Sequence, residues 1–131
     1  MIAAAYVLIL TSLVGVPQTR CYEKQATWNQ AKVMAGVPPT SVAFYDPQFQ
    51  YIALGPMACR QVRFPTQYGA YIYAHEIGHW NQDKNNTAFD EDEADDYAMR
   101  FWRRWMRKFE NYFNRQGTLD PKPDKPVVLG P

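Results

Sequence analysis

The stretch "TQYGAYIYAHEIGHWNQ", residues 66–82, holds both histidines of the chain, His75 and His79. Thr66 follows Pro65, can cap a helix, and is followed by no proline within the stretch, so the segment predicts a helix of about four turns. Residues four apart on a helix share a face, which lets His75 and His79 point ring nitrogens at one ion about 2.0 to 2.1 Å from each. Glu76 is rotated by one position from His75. Its carboxylate therefore reaches a water beside the ion rather than the ion itself, the position of a general base. An amphipathic helix with two surface histidines is the plain alternative. The apolar flanks "YIYA" and "IG" and the absence of histidine elsewhere count against it.

Zinc binds three protein ligands at a catalytic site and keeps a fourth position open. No third histidine exists, so a carboxylate is required, and "FDEDEADDYAMRF" (89–101) offers Asp90, Glu91, Asp92, Glu93, Asp95 and Asp96. Asp90 with Glu93 fits a capping box opening a second long helix that ends near Gly117. At about 100° per residue, Ala94, Ala98, Phe101, Trp105, Phe109 and Tyr112 fall on one stripe, the expected buried face. Glu91 lies on that stripe, whereas Glu93 points roughly 140° away from Ala98. Glu91 is the preferred ligand and Glu93 the reserve. Small Ala94 and Ala98 let the two helices approach closely.

His75-Glu76-Ile77-Gly78-His79 followed by Glu91-Asp92-Glu93-Ala94-Asp95 resembles the H-E-x-x-H … E-x-x-A-D pattern of zinc metallopeptidases of the gluzincin branch, especially minimal zincin domains. The resemblance spans roughly residues 66 to 105. It implies His75, His79 and Glu91 as Zn2+ ligands, Glu76 as the catalytic base, and Asp95 as the partner that supports a histidine. It also implies an edge strand along which a peptide or protein substrate pairs, for which "QYIALG" (50–55) is the candidate. Thermolysin-like members set a further histidine against the transition-state oxyanion. This chain has none, and Tyr97, Tyr73 or an arginine is the expected substitute.

The remaining sequence frames this motif. Ile2 to Val16 is an apolar run of signal-peptide size, too short to span a bilayer, and it favours a secreted or membrane-anchored protein over a cytoplasmic one. Cys21 and Cys59 then read as one disulfide, two buried free thiols being the cytosolic alternative. Residues 22–37 predict a helix stopped by Gly36 and Pro38-Pro39, and "SVAFYD" with "QYIALG" a small antiparallel pair extended by "CRQVRF". In "RFWRRWMRKFENYFNR" (100–115) the arginines lie opposite the aromatic stripe, which reads as a solvated back; a membrane surface is the functional alternative. With a net charge of +1, nucleic acid is not an expected partner.

The expectation is an α+β, zincin-like domain with a short antiparallel sheet, an active-site helix and a long C-terminal helix. Residues 1–20 form the apolar signal or anchor segment, 21–117 the metallopeptidase domain and 118–131 a proline-rich tail. The expected function is zinc-dependent hydrolysis of peptide bonds; a zincin-like zinc-binding domain without turnover, or a membrane-associated binding module, is the alternative.

Overall fold

The structure, a computed structural model, describes residues 6–9 and 16–115. Four strands, β1 (Val7–Ile9), β2 (Gln18–Cys21), β3 (Ala43–Asp46) and β4 (Tyr51–Leu54), form one sheet in the order β1-β2-β4-β3. Val7–Ile9 and Gln18–Arg20, read in the sequence as part of the apolar N-terminal segment, are therefore sheet strands. Residues 1–5 and 10–15 of that segment and the tail after Arg115 lie outside the described residues.

The sheet is mixed rather than antiparallel. β3 and β4 pair antiparallel as expected, but β2 runs parallel to β4, with Thr19 opposite Ile52. A parallel neighbour needs a crossover, and α1 (Gln25–Ala35) supplies it. Gly36 ends α1 in the left-handed conformation, at φ 71°, donating its N–H to the last-turn carbonyls. The β3–β4 hairpin turns on Asp46, whose Oδ1 accepts the N–H groups of Gln48 and Phe49.

Alternation along the strands separates two cores. On one face Tyr22, Phe44, Tyr51 and Ala53 meet α1 through Trp28, which stacks on Phe44 at 5.5 Å between ring centroids. On the other, Cys21, Tyr45, Ile52 and Leu54 meet α2 (Pro56–Arg63), α3 (Gln67–Lys84) and α4 (Glu91–Arg115). Buried Thr19 and Tyr73 satisfy each other across this second interface, hydroxyl to hydroxyl at 2.9 Å.

"CRQVRF" does not extend the sheet. Gly55 at the N-cap and Pro56 in the first turn start a helix instead, and its buried residues Ala58, Cys59 and Val62 recur at helical spacing. Cys59 bonds to Cys21, joining α2 to β2 at a Cα separation of 5.4 Å. Closing a loop between residues 38 apart restricts the unfolded chain by about 3 to 4 kcal/mol in the chain-entropy account. Such a bond fits an oxidising compartment. Among the described residues no helix is long and apolar enough to cross a membrane.

The edge beside α3 belongs to β3, not to "QYIALG": β4 lies inside the sheet between β2 and β3. Gly55 N–H bonds to the Val42 carbonyl at 2.9 Å, so alternation turns the backbone groups of Ala43 and Tyr45 outward along this edge. Tyr45 uses its outward position twice. Its backbone bonds to Glu76, and its hydroxyl donates to Asp83 Oδ2 at 2.7 Å, tying the edge to α3.

On α4, Ala94, Ala98, Trp105, Phe109 and Tyr112 are buried as the wheel requires, while Phe101 is partly exposed with its ring against Tyr97. Arg103, Arg104 and Arg107 face solvent. The helices α3 and α4 touch at Gly78: a Cβ there would stand 2.9 Å from Ala94 Cα and 3.2 Å from Ala94 Cβ. Gly78→Val must therefore push α4 outward at a point one turn from Glu91. Overpacking of this kind costs about 1 to 3 kcal/mol, and the variant is expected to melt several degrees lower. Unchanged melting would show that the contact is slack.

Candidate metal and catalytic site

Thr66 caps α3 as the sequence requires, accepting Gly69 N–H at 3.0 Å, and this fixes the helix that carries His75, Glu76 and His79. Asp90 caps α4, its Oδ1 accepting the N–H groups of Asp92 and Glu93 at 2.9 and 3.2 Å. The two helices bring one carboxylate of the acidic run to the histidines, and it is Glu91. Its Oε1 lies 2.9 Å from His75 Nε2 and its Oε2 3.1 Å from His79 Nε2. Glu93, the reserve, turns away and accepts from Gln82 Nε2 at 2.9 Å.

The hydrogen bonds on the far side of each imidazole decide what these atoms present to one another. His75 Nδ1 lies 2.7 Å from Asp95 Oδ1, which also accepts from the Tyr71 hydroxyl at 3.2 Å. An ionised carboxylate can only accept, so Nδ1 carries a proton and Nε2 is the ring atom turned toward Glu91. His79 Nδ1 lies 2.9 Å from Gln82 Oε1. Gln82 has no choice of orientation: its Nε2 donates to the Asp90 carbonyl and to Glu93, which leaves only the amide oxygen for His79. Nδ1–H is again the donor, and Nε2 again faces Glu91.

Two imidazole Nε2 atoms and a carboxylate thus converge. Ligand atoms of His75, His79 and Glu91 all lie within 4.8 Å of one another. Two imidazole nitrogens and a carboxylate oxygen in such proximity are ligand types that one metal ion can bind together, so the donor chemistry fits a metal ion. The supporting bonds from Asp95 and Gln82 are those that orient metal-ligating histidines. Asp95 was legible through the family pattern. Gln82 was not, although it stands three residues after His79 on the same helix face, a spacing that marks interacting pairs.

The wheel chose the face of Glu91 but not its depth. It opens α4 at the rim, and its side chain is 73 % exposed. Glu76, by contrast, is buried beside the group. Burial, then the charge of Glu91, pushes its carboxyl up to about 8, against the Tyr45 backbone hydrogen bond that favours the ion. A raised pKa means that the folded protein without metal binds this proton more tightly than the unfolded chain, whose carboxyl titrates near 4.5. The resulting stability is fully present below pH 4.5 and is lost as pH rises through 8. In chelated protein, urea unfolding should show stability falling between pH 5 and 8, by on the order of 4 kcal/mol at most. Glu76→Gln should flatten that slope; an equal slope in both proteins would assign it elsewhere.

The group opens into a cleft of about 840 Å3 that runs along the β3 edge and under α1. Phe89 closes one side, its ring 4.9 Å from that of His79. Of the expected oxyanion partners, neither Tyr73 nor Tyr97 lines this cleft, whereas one arginine, Arg20, does. Tyr73 is wholly buried against Thr19, and the Tyr97 hydroxyl accepts from Trp105 Nε1 at 3.2 Å. Compared with family models, curated proteins and solved structures, the sequence and its fold match none.

Proposed function

We propose that this domain is a zinc-dependent peptidase. The observation that carries the reading is the buried carboxylate of Glu76 set beside three converging side chains, His75, His79 and Glu91, at the mouth of a cleft. Two imidazoles and one carboxylate with room for a further ligand suit zinc. Bound there, zinc supplies Lewis acidity, lowering the pKa of water to about 7 and polarising a carbonyl.

The chain's own residues do the rest. Glu76 takes a proton from the attacking water, whose oxygen adds to the peptide carbonyl carbon, and returns it to the amine nitrogen as the carbon–nitrogen bond breaks. Tyr45 holds Glu76 in place through its backbone, and Asp95 and Gln82 hold the histidines in the liganding tautomer. The outward backbone of β3 offers an extended peptide one edge to pair with. We place the reaction outside the cytoplasm, because the Cys21–Cys59 disulfide fits an oxidising compartment.

A second reading, a zinc-binding domain without turnover, is favoured by the absence of Tyr73 and Tyr97 from the cleft. Incubating zinc-loaded protein with a pool of peptides and reading new termini by mass spectrometry separates the two. New termini that vanish on chelation are expected. Intact peptides throughout would leave the non-catalytic reading.

A further inference from the structure

The cleft that holds the metal group also holds a cation. Arg20, half-buried on β2, lines it on the α1 side together with Tyr6, Tyr22, Tyr51 and Asp46. Its guanidinium lies over two rings, 3.7 Å from the centroid of Tyr51 and 4.7 Å from that of Tyr6. Nε donates to Gln18 Oε1 at 2.9 Å, and a further hydrogen bond reaches the Tyr22 hydroxyl. Stacking and these bonds fix the plane of the fork, so less freedom is lost when it binds.

What this arginine lacks is a counter-ion. Among the described residues no carboxylate lies within ion-pair distance of Arg20. Asp46, an acid of the same cleft, is committed to the hairpin: Oδ1 accepts from Gln48 N–H and Phe49 N–H, and the side chain also bonds to the Tyr51 hydroxyl. A fixed guanidinium with open donors matches a planar carboxylate, which it can bind through two parallel hydrogen bonds.

We infer that Arg20 is a specificity residue, receiving a carboxylate of a peptide that lies along the cleft away from the metal group. This rests on the peptidase reading for the ligand's class. The carboxylate belongs either to an aspartate or glutamate side chain or to the free C-terminus of the peptide, and the test separates these sources.

Binding is measured on zinc-loaded Glu76→Gln protein, which keeps the cleft without turnover, using octapeptide pools. The pools carry acidic or amide side chains, each with a free or amidated C-terminus. At least one carboxylate-bearing pool should bind about tenfold more tightly than the neutral, amidated pool, and the preference should shrink at high salt. Adding Arg20→Gln should reduce it to within about twofold while leaving neutral peptides unaffected. Arg20→Met, which keeps an apolar stem between the two rings, should do the same and covers a folding failure of the first variant. No preference, or one that survives both substitutions, overturns the inference. Wild-type cleavage of the same pools reports the peptidase reading separately. An Arg20-dependent preference without cleavage leaves the anion pocket standing and removes hydrolysis; cleavage without the preference does the reverse.

Discussion

Glu91→Ala should abolish tight zinc binding, while Glu93→Ala should leave it within about tenfold of wild type. Glu91 is the residue whose two oxygens face both histidines, at 2.9 and 3.1 Å. Removing it leaves two imidazoles on one helix turn, a clamp with no third ligand, and a loss of at least several hundredfold in affinity is expected. Glu93 acts one step further out. It accepts a hydrogen bond from Gln82, which in turn orients His79, and removal of such supporting partners costs about 10- to 100-fold at most. Because Gln82 keeps its bond to the Asp90 carbonyl, the lower end of that range applies. Competition titration with a chromophoric chelator reads both variants. Full affinity in Glu91→Ala with loss in Glu93→Ala would reverse the assignment.

Glu76→Gln should separate metal binding from turnover. The side chain is no ligand, and the amide has nearly the same shape, so zinc stoichiometry should hold. Hydrolysis should fall by about 10²- to 10⁴-fold, the usual worth of a positioned base. Burial raises the proton affinity of the carboxyl, so the amide resembles the protonated acid and folds at least as well in metal-stripped protein. Undiminished cleavage would remove Glu76 from the mechanism; loss of zinc would make its role structural.

The site was more legible than the sheet, for a reason visible in particular residues. His75, Glu76, His79 and Glu91 sit on helices whose caps, Thr66 and Asp90, are local, so period and capping suffice to set their directions. The strands depend on non-local pairing. Gln18–Cys21 pairs in parallel with Tyr51–Leu54 across an intervening helix, and no short-range signal in "QTRC" announces that partner. The same limit misplaced the edge. "QYIALG" has the stronger strand pattern, which fits its interior position with all four of its strand residues buried, while "AFYD" stands at the rim.

Residues 59–64 were misread because alternation over a few positions resembles one turn of helix. Gly55-Pro56 was the deciding signal, a glycine cap and a first-turn proline that start a helix. Gln82 and Arg20 share another kind of invisibility. Each matters through partners far away in sequence, Gln82 through Asp90 and Glu93, Arg20 through Tyr51.

The most direct measurement is a titration of activity against zinc. Metal-stripped protein receives increasing zinc at neutral pH, and cleavage of one peptide substrate is followed at each addition. The rate should rise in proportion to zinc and level off at one equivalent per chain, with no rise in Glu91→Ala. A zinc-saturated protein that leaves its peptides intact, or a rate indifferent to zinc, would contradict the account.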